Sequence, residues 1–280
     1  TYEDVHSVKV PREHLSNNTY TVYSQVVTAN NASGVTFGAT ISSGEIPFKG
    51  YDGSGTVNVL QITDTHEGHK TTQAVVRAHK GKDVDIVVFT GDIVNALPKR
   101  DDMLDKFFSL MANATGGRFP IVYGHGNHET RGSYGTMLLE YFETATGKFY
   151  FDFTYGPLYG LVLDTGEDKG DSAADYGGLA DYKNYIAEQK AWLCSITPNK
   201  DAAYRLAIYH IPRLHNLAGG TGNLSTAMNA LGFHIGICGH DHTNRFDSKG
   251  SNGLNFPQVV LGQSAGGLYE FTEKSIEYLA

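Results

Sequence analysis

Five short segments of this 280-residue chain carry side chains able to hold metal ions. They are Asp64-Thr65-His66, Gly91-Asp92, Gly126-Asn127-His128-Glu129, His210 and Gly239-His240-Asp241-His242. Imidazole nitrogens select Mn, Fe, Zn or Ni over Ca, and carboxylate and carboxamide oxygens keep such a site moderately hard. Each segment alone says little, because a lone histidine at a strand end is usually a hydrogen-bonded core or surface group. Their shared placement says more. Each follows a run that reads as a β-strand, and ligands of open α/β sheets bind beyond the carboxyl ends of the strands. Five such ends can meet in one crevice. Glycines at 91, 126 and 239 permit the close backbone approach that a compact site needs.

The elements that would deliver these side chains alternate strand with helix through the first half of the chain. Strands are expected over residues 57–63, 85–90, 119–123, 204–209 and 235–238. The second of these is continuously apolar, as a strand covered on both faces should be. A helix is expected over 70–80, closing at Gly81, with Ala74, Val75 and Ala78 on its inner face. A second, capped by Asp101 or Asp102, turns Met103, Leu104, Phe107, Phe108 and Met111 inward. Further helices are expected over 133–146 and 182–194. Strands over 149–153, 158–163 and 259–261 precede a closing hairpin over 268–278, with Gly266-Gly267 as a turn. Alternation followed by mostly strands predicts an α/β fold with layered, mixed sheets.

In order and residue type the five segments match D-x-H, G-D, G-N-H-[DE], H and G-H-x-H. On these motifs, over about residues 56–265, the chain resembles the calcineurin-like metallophosphoesterase superfamily. The resemblance implies an α/β-β/α sandwich with two mixed sheets and a site for two divalent or trivalent ions (Mn, Fe, Zn or Ni). Asp64, His66, Asp92 and His242 would hold the first ion, and Asp92, Asn127, His210 and His240 the second, with Asp92 bridging. Hydrolysis of a phosphate ester by a metal-bridging hydroxide would follow, with His128 against the phosphate and able to protonate the leaving group. Asn127, His128 and Arg131 are the expected substrate contacts, Arg131 because a guanidinium can clamp a phosphate oxygen bidentately. Monoesters are the expected substrates; the alternatives are diesters at the same site, or a non-catalytic scaffold of the same fold. The purple acid phosphatase branch differs at two places: it has D-x-G where this chain has Asp64-Thr65-His66, and a metal-bound tyrosine where this chain has Asn95. No purple charge-transfer band is therefore expected.

Composition narrows the partners. The chain carries 22 basic and 30 acidic residues, a net charge of −8 with histidine neutral. That balance disfavours nucleic acid as the main partner and suits a small phosphorylated substrate drawn in by a local metal-rich pocket. No apolar run approaches the ~18 residues of a membrane span. Nothing in the sequence specifies an oligomer. Cys194 and Cys238 read as two buried free thiols, and abundant Gly, Ser, Asn, Thr and Tyr favour an exported over a cytoplasmic location. Residues 1–50 read as a β-rich N-terminal extension, similar to the end of a fibronectin type III-like module; residues 51–280 read as the catalytic domain. In the extension, Val8–Val10 and residues 19–27 alternate with period two as half-buried strands do, with turns at Asn17-Asn18 and 30–34. His69, His125, His215 and Arg213 lie near the motif loops as further candidates. The polar segment 163–169 reads as a loop over the rim, and the glycine-rich segment 216–223 as a mobile lid.

Overall fold

The computed structural model describes residues 6–14, 19–79, 83–272 and 274–278. Two sheets stack face to face. The first contains β1 (Val57–Ile62), β2 (Ile86–Phe89), β3 (Ile121–Tyr123), and two strands from the end of the chain, β10 (Gly266–Phe271) and β11 (Ile276–Tyr278), in the order β11-β10-β1-β2-β3. The second contains β4 (Phe151–Tyr155), β5 (Leu158–Val162), β6 (Tyr204–Ile208), β7 (Ile235–Cys238), β8 (Arg245–Asp247) and β9 (Gln258–Val260), in the order β4-β5-β6-β7-β9-β8. Strands β1, β2 and β3 run parallel, as do β5, β6, β7 and β9, while β4, β8, β10 and β11 are antiparallel additions.

The period-two side-chain pattern makes this a four-layer sandwich. Val57 and Val59 of β1, Ile86 and Val88 of β2, and Leu206 and Ile208 of β6 meet in the core between the sheets. Their alternates point outward. Leu60, Ile62, Val87 and Phe89 pack under Met103, Phe107, Leu110 and Met111. Leu161, Ala207 and Tyr209 pack under Ile186 and Leu193 of the helix Tyr182–Ser195. The predicted α/β-β/α sandwich with two mixed sheets is the fold observed. All the parallel strands thus end on one side, which sets the five motif loops beside each other.

Several local expectations are corrected. The helical run after β2 is Arg100–Asp102, a π-helical stretch Met103–Phe108 and Ser109–Thr115; its N-cap is Lys99, in extended conformation, with no side-chain cap. Asp101 and Asp102 fall inside the first turn, where their charge complements the helix dipole, and Asp102 pairs with Lys106 at 3.2 Å. The segment 133–146 is not an α-helix but a 3-10 stretch, Gly135–Tyr141. Backbone bonds from Gly135 to Gly132, Met137 to Tyr134 and Phe142 to Leu139 tighten it. Gly135 is pressed against the backbone of Glu129 and Thr130, so the chain curls around the motif loop. Gly266 and Gly267 are not a turn; they open β10, paired with Ile62 and Gln61. Cys238 is buried, but Cys194 is exposed.

The N-terminal strands form nested antiparallel pairs: Thr19–Tyr20 with Ile46–Pro47, Tyr23–Ser24 with Ile41–Ser42, and Val27–Asn31 with Gly34–Phe37. They make one long ribbon whose tip is the predicted turn, closed by Ser33 N–H donating to Asn31 Oδ1. The expected half-burial of 19–27 is absent: Val22, Tyr23, Val26 and Val27 are exposed, as are Phe37 and Ile41 on the returning strands, because no other element among the described residues covers them. Residues 8–10 form no strand; Lys9 instead pairs with Glu143. Tyr20 O–H donating to Gly117 O and Lys49 N–H donating to Arg118 O fasten the ribbon's base to the sandwich. The turn at Asn17-Asn18 and the helix stop at Gly81 lie outside the described residues. The first helix is His69–Ala78. Among the described residues no helix is long and apolar enough to cross a membrane.

Candidate metal centre

Beyond the ends of β1, β2, β3, β6 and β7, the five loops do come together. Asp92 is the hub. Its Oδ1 accepts a hydrogen bond from His128 N–H at 3.0 Å. Its Oδ2 stands 3.1 Å from His210 Nε2 and 3.9 Å from both His66 Nε2 and His128 Nε2. On one side Asp64 Oδ1 lies 3.3 Å from His242 Nε2, which is 3.1 Å from His66 Nε2. On the other side Asn127 Oδ1 lies 3.2 Å from His240 Nδ1. Among the described residues three groups of side chains have donor atoms close enough to share an ion: Asp64/His66/His242, His66/Asp92/His128 and Asp92/His210/His240.

The orientation of these groups is set from behind. His210 Nδ1–H donates to Thr90 O at 2.7 Å, so in the neutral ring the fully buried Nε2 carries the lone pair, and the atom it faces is Asp92 Oδ2 at 3.1 Å. His66 Nδ1–H donates to Asn95 Oδ1 at 3.1 Å, which turns its Nε2 toward His242. Asn127 Nδ2 donates to the buried Glu167, leaving Oδ1 toward His240. In a neutral His210 a lone pair therefore faces the Asp92 carboxylate oxygen across 3.1 Å, which is unfavourable unless a proton or a metal cation lies between. An N/O donor set of this kind fits borderline transition ions.

Electrostatics point the same way. Burial opposes ionisation of Asp92, but the charges of His210 and His128 outweigh it and hold this carboxyl well below the usual carboxylate range. Burial would depress the His210 imidazole, yet the Asp92 carboxylate pushes it up to about 10. The pocket favours positive charge at Nε2. Backbone strain is concentrated here as well. Asp64, His66, Asp92, His240 and His242 all have left-handed φ, between 44° and 72°, a conformation rare outside glycine and costly unless the surroundings enforce it.

Two features of the loops explain the glycines. A Cβ at Gly126 would overlap the Asp92 backbone nitrogen and Oδ1, and one at Gly239 would overlap Thr63 and Asp64. Glu129, fully buried, accepts hydrogen bonds from the backbone of Asp92, Ile93 and Gly126 and so clamps two loops together. Burial and the Asp92 charge push the Glu129 carboxyl up to about 7. Gly126→Ala is expected to cost about 1–3 kcal/mol of stability by overpacking and to weaken cation uptake, read by thermal melting and elemental analysis. An unchanged Tm would contradict the tight approach.

Of the further candidates, Arg131 stands against the His128 ring, its Nη1 3.1 Å from Nε2, with Nη2 3.6 Å from Glu167. Arg213 bonds Asp241 at 2.6 Å and reaches Asp168 at 3.4 Å. His125 is buried, 3.3 Å from Asp164 and stacked on Phe149, while His215 bonds Asn252 O at the surface. His69 opens the first helix. The segment 216–223 is no free lid: Leu217 and Ala218 are buried, and its backbone holds the 167–168 loop. Sequence reasoning named Asn95 only at the place of the purple branch's tyrosine and put Glu167 and Asp168 in a rim loop, giving none of the three a contact with the donor side chains. The last two had a visible signal, since they follow the buried strand β5 as the motif residues follow theirs.

The model of the calcineurin-like phosphoesterase family matches residues 57–244, well over half the chain. Among solved structures, a purple acid phosphatase from yellow lupin (Lupinus luteus) seeds superposes with a TM-score of 0.62 at 16% identity, over 94% of this chain and 57% of that one. This chain thus spans little more than half of the lupin protein. A dimetal phosphatase from Danio rerio gives 0.59 at 14% identity, over 80% and 95%. GAP50, described as the anchor in the inner membrane complex of Plasmodium, gives 0.55 at 11%, over 80% and 83%. No curated protein matches. With its family model, its sandwich of two mixed sheets and its convergent Asp/His/Asn loops all in agreement, the chain belongs to the calcineurin-like phosphoesterase family.

Proposed function

We propose that the protein hydrolyses phosphate esters at a pair of metal ions held between its five strand-end loops, with phosphomonoesters as preferred substrates. Asp64, His66, Asp92 and His242 hold one ion; Asp92, Asn127, His210 and His240 hold the other. The observation that carries this reading is the placement of Asp92 Oδ2, 3.1 Å from the buried His210 Nε2 on one side and 3.9 Å from His66 Nε2 on the other. One carboxylate reaching both halves of the cluster is what a closely spaced cation pair needs. When bound, such a pair lowers the pKa of water and neutralises charge on the phosphoryl oxygens. Zn, Mn, Fe and Ni are the ions this donor set suits.

The chain's own residues supply orientation. His128 donates Nδ1–H to Asn95 O at 3.0 Å, which turns Nε2 to the cleft beside Arg131 Nη1; protonated there, Nε2 would donate to a phosphoryl or leaving-group oxygen. Arg131, beside it and about a quarter exposed, adds N–H donors to the same oxygens. A terminal phosphate with two negative charges matches two cations plus a guanidinium better than a singly charged diester does. Asn95, bonded through its carboxamide to His66, occupies the place of the purple branch's tyrosine, so the iron-loaded protein is expected to lack a visible tyrosinate band. Such a band in the absorption spectrum would contradict the assignment.

The test is to reload metal-free protein with Mn, Zn, Fe or Ni and assay p-nitrophenyl phosphate against bis-p-nitrophenyl phosphate. Faster turnover of the monoester is expected. Preference for the diester overturns the substrate assignment, and no turnover with two ions bound overturns the catalytic one in favour of a metal-binding scaffold.

A further inference from the structure

The loop after β5 supplies no residue to the family motifs, yet it touches two of the residues assigned above to the second ion. Glu167, with no exposed surface, accepts a hydrogen bond from Asn127 Nδ2 at 3.2 Å. Asp168 Oδ2 lies 3.1 Å from His240 Nε2. An ionised carboxylate has no proton to give, so the hydrogen in that contact belongs to Nε2 and the lone pair of His240 is on Nδ1. Nδ1 is the atom facing Asn127 Oδ1. Adjacent residues of one loop therefore fix both donor atoms. A carboxylate behind a ligating imidazole sets its tautomer and ring orientation and raises its basicity.

The loop is itself held. Ala218 N–H donates to Glu167 O at 2.7 Å and Gly219 N–H to Asp168 O at 2.8 Å. Gly219 packs so closely on the Gly170 backbone that a Cβ would not fit. Arg131 and Tyr176 engage the Glu167 carboxylate and Arg213 engages Asp168, so neither carboxylate is left without a donor.

We propose that Glu167 and Asp168 are positioning residues that preset Asn127 and His240 for the second ion, so that the affinity of that ion, and not of the first, depends on them. This rests on the two-ion reading above. Asp168 is the better probe because its side chain is about a third exposed, so truncation opens no cavity.

Zinc titration of the full-length, metal-free chain, with bound zinc counted by elemental analysis, reads the two sites; long-range ¹⁵N–¹H spectra read the His240 tautomer. Wild type is expected to bind two zinc ions with His240 protonated at Nε2. Asp168→Ala is expected to weaken the second ion by about 10–100-fold, leave the first unchanged and lose the fixed tautomer. Asp168→Asn keeps an oxygen that accepts the Nε2 hydrogen but drops its charge; it is expected to keep the tautomer and recover most of the affinity. Two ions at wild-type affinity in Asp168→Ala overturn the proposal, as does equal weakening of both, which marks a merely structural role. Should Asp168→Ala fail to fold, Asp168→Asn decides by the tautomer: Nε2–H retained supports the proposal and Nδ1–H overturns it. Wild-type protein that takes up no second ion overturns the two-ion reading and this proposal with it.

Discussion

Asp92→Asn is expected to abolish uptake of the second ion, weaken the first, and lower turnover by at least about 10²–10³-fold, the order of loss seen when a single preorganised donor is removed from a reacting centre. The substitution isolates the charge. Asp92 has φ 54°, and asparagine tolerates that left-handed conformation almost as well as aspartate, whereas alanine costs a further ~1–2 kcal/mol of backbone strain. The Oδ1 contact with His128 N–H survives in the carboxamide, and Glu129 still clamps the loop through the backbone of Asp92 and Ile93. Only the anionic oxygen facing His210, His66 and His128 is lost. Asp92→Ala, which removes both oxygens, is expected to bind neither ion. Elemental analysis after gel filtration and assay under matched metal concentrations check both. Two ions per chain in either variant would rule out a shared carboxylate.

The sequence disclosed most of this arrangement because two independent patterns coincide in it. Apolar runs such as Ile86–Phe89 are buried on both faces, so strand positions are legible, and the polar residues that break those runs mark the loop side. Residues that do not carry a motif were harder to read. Glu167 and Asp168 look like ordinary loop charges until the fold places them behind Asn127 and His240. Asn95 acts through one side-chain contact to His66 and one backbone contact to His128, neither visible as spacing. Period two in residues 19–27 reports a pleat and not a partner, which is why the ribbon's apolar side chains were expected inside and stand exposed. The run 133–146 has helical spacing, but Gly135 is pinned against the Glu129 backbone and close packing overrides propensity there.

His128→Ala is expected to leave both ions bound and to cut turnover by about 10²–10⁴-fold. The partners of this histidine, and not its distance, separate it from the ligands: it stands 3.9 Å from Asp92 Oδ2, as His66 does, against 3.1 Å for His210. Its own partners, Asn95 O and Arg131, lie on the rim and not among the other donor atoms. Truncation therefore removes an imidazole from the cleft while the Asp92 carboxylate, the backbone N–H of residue 128 and the clamp of Glu129 remain. A further signature follows if Nε2 serves the departing oxygen. The loss should be largest for substrates with poorly acidic leaving groups, which need a proton as the bond breaks, and smallest for p-nitrophenolate, which departs without one. Measuring kcat across aryl and alkyl phosphates in both proteins gives that dependence. A loss independent of the leaving group would assign His128 to binding the phosphoryl oxygens instead. The rival outcome is equally concrete: since His66, Asp92 and His128 also lie close enough to share an ion, a His128→Ala protein that retains only one would make this histidine a ligand and not a proton donor.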